Sequence, residues 1–193
     1  MELHLKEMIL SITGCINMTN RIKWLRKREQ IIRDKSFIGL SKSFFDKARK
    51  NLITMNLLLE LNKNKRVRKL LKIPKDYDSN EWAVISGYYA MYSSALALIA
   101  KIGFKSKTHT ATLYLLHEFY VKKELLNKRD LELISHASLK KEELDQISEA
   151  RHKREIAQYS VTKQTTKEIA EKIKKDAYSF VNKVDEILNP LFQ

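Results

Sequence analysis

The sequence predicts an all-α protein: an up-and-down antiparallel bundle of four to five main helices, with an extra basic helical arm at its N-terminus. Three observations predict it. Glycine occurs four times and proline twice in 193 residues, so the chain has few tight turning points. Leu, Ile, Lys and Glu, which accept helical geometry at little cost, dominate the composition. Apolar residues recur at spacings of three and four in several segments, and no segment shows the period of two that marks a strand. A chain of this length is expected to form one domain with a sizeable core, divided here into an extension over 1–40 and a bundle over 41–193.

The elements follow in order. Residues 19–35, TNRIKWLRKREQIIRDK, carry seven basic and two acidic groups with Ile22, Trp24, Leu25, Ile31 and Ile32 interspersed, which predicts a basic amphipathic helix. Phe45, Ala48, Leu52, Met55 and Leu59 follow spacings of three and four, the seam of a bundle helix. Lys63, Lys65, Arg66, Arg68, Lys69, Lys72 and Lys75 then form a basic connector, stopped by Pro74. Asp78 with Glu81 three residues later is a capping-box pattern for a helix running to about Ile102. Trp82, Ile85, Tyr89, Tyr92, Leu96 and Ile99 supply its stripe, and Gly103 stands where a helix-ending glycine belongs. Thr108 to Val121 reads as a shorter helix, and about Arg129 to His136 as another. Ser138 opens a helix to about Gln158. Thr165 and Glu168 cap a last long helix with the stripe Ile169, Ile173, Ala177, Phe180, Val184, Ile187 and Leu191.

Lys plus Arg number 37 against 23 Asp plus Glu, a net charge of +14 that favours polyanions or an acidic partner. The surplus lies early: residues 1–40 hold 8 basic and 4 acidic groups, 41–78 hold 11 and 4, and 138–193 hold 11 and 10. An apolar content of 44% excludes global disorder, and 31% charged residues exclude a multi-span membrane protein. Ala83 to Ala100 is an uncharged run of 18 residues, but its serines and tyrosines suit a buried core helix better than lipid. Cys15 follows a small-residue pattern like that of a lipidated cysteine, yet the apolar run before it is too short for a signal segment. Met18 is a second candidate start. A single cysteine and no zinc-spaced Cys/His cluster point to a cytoplasmic location.

No phosphate-cradling glycine loop, nucleophile elbow or metal-ligand pair on one helix face occurs, so neither cofactor nor metal is expected. The segment Arg151-His152-Lys153-Arg154-Glu155-Ile156-Ala157-Gln158-Tyr159 remains. Arg154 lies seven residues after Ile147, so two helical turns return it to the apolar seam. A guanidinium there needs a partner: a carboxylate, a Tyr ring, or phosphate in a groove. Tyr159, five residues on, can bury its ring and keep its hydroxyl accessible. His109 at a helix start is a capping residue or a site residue, and Arg151 is a neighbouring cation.

Three stretches together resemble the HEPN family of helical domains from prokaryotic toxin–antitoxin and RNA-processing systems. Gly87-Tyr88-Tyr89-Ala90-Met91-Tyr92, continuing through Gly103 to Lys107-Thr108-His109, is similar to that family's second long helix and following turn. Arg154-Glu155-Ile156-Ala157-Gln158-Tyr159 resembles its Arg-x-x-Ala-Asp-Tyr ending, and Phe45 to Leu52 its first helix. The resemblance covers roughly 41–190 and leaves residues 1–40 outside. It implies a helical homodimer in which two Arg154 side chains meet at one cleft, with RNA as substrate and a nucleotidyltransferase antitoxin as partner. Nuclease members place His where Tyr159 stands here, and Gln158 replaces an Asp. A phenol with an ordinary pKa near 10 is a poor general base at neutral pH, so the resemblance implies RNA binding more firmly than cleavage. Arg154 and Tyr159 are then the catalytic candidates. Arg151, His109, Lys63, Lys65, Arg66, Arg68 and Lys69 are the RNA-binding ones.

Overall fold

The computed structural model describes residues 18–135 and 167–189. Its helices are α1 (Met18–Lys27), α2 (Leu40–Lys63), the short α3 (Lys65–Leu70), α4 (Asn80–Lys101), α5 (His109–Leu116), α6 (beginning at 128 and described to 135) and α7 (Lys167–Leu188). The architecture is the all-α bundle that the composition predicts, with one small addition, a two-stranded ribbon.

Three long helices make the frame. The Ser41 hydroxyl donates to the Ala97 carbonyl at 2.9 Å, tying the start of α2 to the end of α4, so these two run antiparallel. Arg49 meets Asp185 near one end of the α2–α7 pair, and Lys63 meets Glu171 at 3.0 Å near the other, so α7 is also antiparallel to α2. Between these ties the Asn56 side-chain amide donates to the Tyr178 hydroxyl. The seam read from α2 is buried throughout: Phe45, Ala48, Leu52, Met55 and Leu59 are all in the core.

The stripe read for α4 is buried at Tyr92 and Ile99 but not at its other four positions. Trp82 is 52% exposed and Ile85, Tyr89 and Leu96 are only half-buried. The buried surface consists mainly of Ala83, Ser86, Gly87, Ala90, Ser93, Ser94, Ala95 and Ala97, small side chains that let neighbouring helices approach closely. At Gly87 an added Cβ would lie 2.7 Å from Ile173 Cγ2 and 3.0 Å from Met55 Sδ, so only glycine fits without displacement. Two of the buried serines are satisfied within the helix: Ser86 donates to the Trp82 carbonyl and Ser94 to that of Ala90. The helix is long and apolar enough to cross a membrane, but 78% of its apolar window is buried inside the protein, as expected of a core helix.

The connection from α2 to α4 is built from polar groups. Asn64 caps α3, accepting from the Val67 N–H. The buried Ser79 hydroxyl lies 2.7 Å from both the Leu58 carbonyl and Asn62 Oδ1, while the Asn62 amide donates to Asp78 and Asn80. Asp78 does accept from a backbone N–H, that of Asn80, but the N-cap is Ser79, so the helix begins one residue later than the capping-box reading places it.

Two N-terminal readings change. The helix expected over 19–35 stops at Lys27, because Glu29 adopts a left-handed φ of 55°. The Gln30 N–H then bonds the Leu25 carbonyl and the Glu29 N–H that of Arg26, a Schellman closure. Ile31–Arg33 instead forms strand β1, antiparallel to β2 (Phe104–Ser106), with Ile31 opposite Ser106 and Arg33 opposite Phe104. Bonds from Lys107 N–H to the Gln30 carbonyl and from Asp34 N–H to that of Gly103 extend the pairing at both ends. Gly103, with φ 73°, makes the turn from α4 into β2 against the Asp34 backbone. Leu25 and Ile31 are 1% and 3% exposed, so residues before 41 contribute directly to the core.

Candidate functional site

Thr108 opens α5 in extended backbone and its hydroxyl accepts from the Ala111 N–H, as its place in the sequence predicts. This sets His109 on the first turn. Its ring packs edge-on against Tyr92 of α4, centroids 4.9 Å apart. Beside them Tyr92 Oη lies 3.5 Å from Thr112 Oγ1, which lies 2.8 Å from Ser106 Oγ. Tyr92 is buried and His109 half-buried, so a polar, partly open corner joins α4, β2 and α5. Tyr88 and Tyr89 are half-buried on α4, a turn before it.

Beyond Leu116 the helix widens into a π-helical turn, His117–Val121. The half-buried His117 is held below the ordinary histidine value, first by burial and then by the Lys122 charge. Lys122 pairs with Glu118 at 2.7 Å. Burial also pushes the Tyr120 phenol above its usual range, and its hydroxyl donates to the Leu98 carbonyl at 2.6 Å.

The basic connector divides into two sets. Lys63 pairs with Glu60 and Glu171; the hydrogen bond to Glu171 is the main cause of its raised pKa and of the lowered one of Glu171. The Arg68 guanidinium donates to the Pro74 and Tyr77 carbonyls at 2.7 and 2.9 Å, folding the connector back on itself. Lys65, Arg66 and Lys69 are exposed. No sequence signal marks this division, since Glu171 is more than a hundred residues from Lys63. Arg151, Arg154 and Tyr159 lie outside the described residues, as do Ser138, Thr165 and Leu191. Among the described residues no group of three His, Cys, Asp or Glu side chains is placed to hold a metal ion.

The comparisons with known proteins agree with this frame. The family model described as "HEPN domain" matches residues 41–187. This chain belongs to the HEPN family. A relative from Archaeoglobus fulgidus, described as "UPF0332 protein", is 32% identical over 130 residues, covering 64% of this chain and 93% of that protein. No solved structure matches. The HEPN match runs from the start of α2 to the end of α7. His109 sits at the turn after α4, and the ribbon strand β1 comes from residues that precede the match.

Proposed function

We propose that this HEPN protein is an RNA-directed component of a toxin–antitoxin type system, working in the cytoplasm as a homodimer. Its partner in this reading is a nucleotidyltransferase antitoxin. The observation that carries the reading is the HEPN match over 41–187, which includes the segment Arg154 to Tyr159. Arg154 serves the chemistry because a fixed guanidinium stabilises the extra negative charge as a phosphodiester passes through its five-coordinate state. In that reaction the RNA 2′-oxygen attacks the adjacent phosphorus and loses its proton to water. The bond to the 5′-oxygen breaks, and that oxygen takes a proton from water. A phenol with an ordinary pKa near 10 keeps its proton at neutral pH, so the role given to Tyr159 is to donate a hydrogen bond to the phosphate or the departing oxygen, not to accept the 2′-proton. Arg151, His109 and the exposed connector cations Lys65, Arg66 and Lys69 provide further contacts.

The test is RNA cleavage and binding by the full chain, with and without chelator, alongside Arg154→Ala and Tyr159→Phe. Cleavage that drops at least a hundredfold in Arg154→Ala supports the catalytic form of the reading. Binding without cleavage, weakened by the same substitution, supports an RNA-binding derivative. Cleavage unchanged in Arg154→Ala rejects the site, and absence of both binding and cleavage leaves a helical protein-interaction module.

A further inference from the structure

The ribbon gathers charge from two segments about 70 positions apart. Residues 26–35 supply Arg26, Lys27, Arg28, Arg33 and Lys35; residues 101–107 supply Lys101, Lys105 and Lys107. All eight are exposed, and the β1–β2 pairing holds the two sets together, with Lys105 opposite Ile32 and Arg33 opposite Phe104. The same stretches contain two acids, and each is engaged. Asp34 accepts from the Ser36 N–H at 2.8 Å, and Glu29 faces Lys107 at 3.8 Å.

Aromatic rings accompany the cations. The Arg28 guanidinium lies over the Trp24 ring at 4.2 Å, Arg33 over Phe104 at 5.5 Å and Lys105 over Phe37 at 5.9 Å. Such stacking orients a guanidinium or ammonium without neutralising it. Cations interleaved with rings characterise surfaces that track single strands. The exposed connector between α2 and α4 has comparable charge, but two of its cations are occupied internally, as described above.

We infer that this ribbon is a binding surface for the sugar-phosphate backbone of single-stranded RNA, added to the HEPN bundle by the residues that precede it. The inference rests on the RNA-directed reading above. It assigns a role in holding substrate, not in cleaving it, to Arg28, Arg33, Lys35, Lys101 and Lys105.

The experiment measures binding of a 12-nucleotide single-stranded RNA by the full chain across a salt series. The ribbon variant Arg33→Gln/Lys35→Gln/Lys101→Gln/Lys105→Gln is compared with a charge-matched control, Lys123→Gln/Lys128→Gln/Lys172→Gln/Lys175→Gln. Each phosphate contact contributes about 0.7 to the slope of log affinity against log salt for single strands, so four contacts carry a slope near 3. The ribbon variant is expected to lose most of that slope and about 100-fold in affinity at 0.1 M salt, with the control changing less than threefold. All eight positions are exposed, so both variants are expected to retain the helical circular dichroism and unfolding midpoint of the parent. Equal weakening by both variants overturns the inference, because net charge then explains the binding. A ribbon variant that binds like the parent overturns it while leaving the RNA-directed reading intact, and a parent chain that binds no RNA overturns both. Ribbon-dependent binding with cleavage indifferent to Arg154→Ala keeps the ribbon and rejects the catalytic assignment.

Discussion

Glu29, Lys72 and Glu124 each adopt a left-handed backbone, with φ of 55°, 53° and 61°. Each closes a helical segment in the same way: the next residue's N–H bonds a carbonyl five positions back, Gln30 to Leu25, Ile73 to Arg68 and Leu125 to Tyr120. In a chain with four glycines, charged residues do what glycine does elsewhere, at a cost of about 1 kcal/mol each. Glu124→Gly is therefore expected to raise stability by about 1 kcal/mol in urea denaturation. Gly87 shows the opposite case. Alanine there adds about 1 kcal/mol of helix propensity but meets Ile173 Cγ2, and overpacking typically costs about 1–3 kcal/mol. Gly87→Ala is expected to destabilise the protein, and Ile173→Ala, which removes Cγ2 and leaves the flexible Met55 Sδ at 3.0 Å, to relieve most of that penalty in a double-mutant cycle; Ile173→Val, which keeps Cγ2, leaves it in place. Gly103 was legible in the sequence because it follows a long apolar helix. Gly87 was not legible as a contact point, because its neighbours Met55 and Ile173 come from other helices.

Among the elements, α2 could be read residue by residue, since only one side of it faces the core and large apolar groups mark that side. Only Tyr92 and Ile99 of the α4 stripe are buried, because much of the buried surface of this helix is made of small residues that no large apolar group marks. Strand β1 is not legible in the sequence because three residues are too few to show alternation, and the Schellman turn at Glu29 has no glycine to announce it. The π-helical turn carries a pH dependence. His117 has its pKa depressed in the fold, so the unfolded chain binds a proton near pH 6.5 that the folded chain takes up only at lower pH. Its contribution to stability is complete above that value and is lost as pH falls through it toward the folded pKa. His117→Gln is expected to flatten the fall in stability between about pH 7.5 and 5.5 relative to the parent, measured by denaturation at each pH.

For the molecule as a whole, the ribbon ties the residues before 41 to the HEPN bundle. Leu25 is almost fully buried in the shared core, and Leu25→Ala is expected to cost about 2–4 kcal/mol while unfolding stays a single transition. A separately folded arm would instead show a second transition and an unchanged main one. The net charge was legible from composition, and its bias toward the first half from simple counting. Its concentration around a ribbon was not, because that depends on the register of Ile31 with Ser106. The same register has a consequence during synthesis. At about 5–20 residues per second, β1 leaves the ribosome roughly 4–15 seconds before β2 exists to pair with it. The nascent chain thus lacks the assembled cationic surface until α2 and α4 have both been made. The two halves of that surface can pair only once synthesis has passed Ser106, just beyond the middle of the 193 residues.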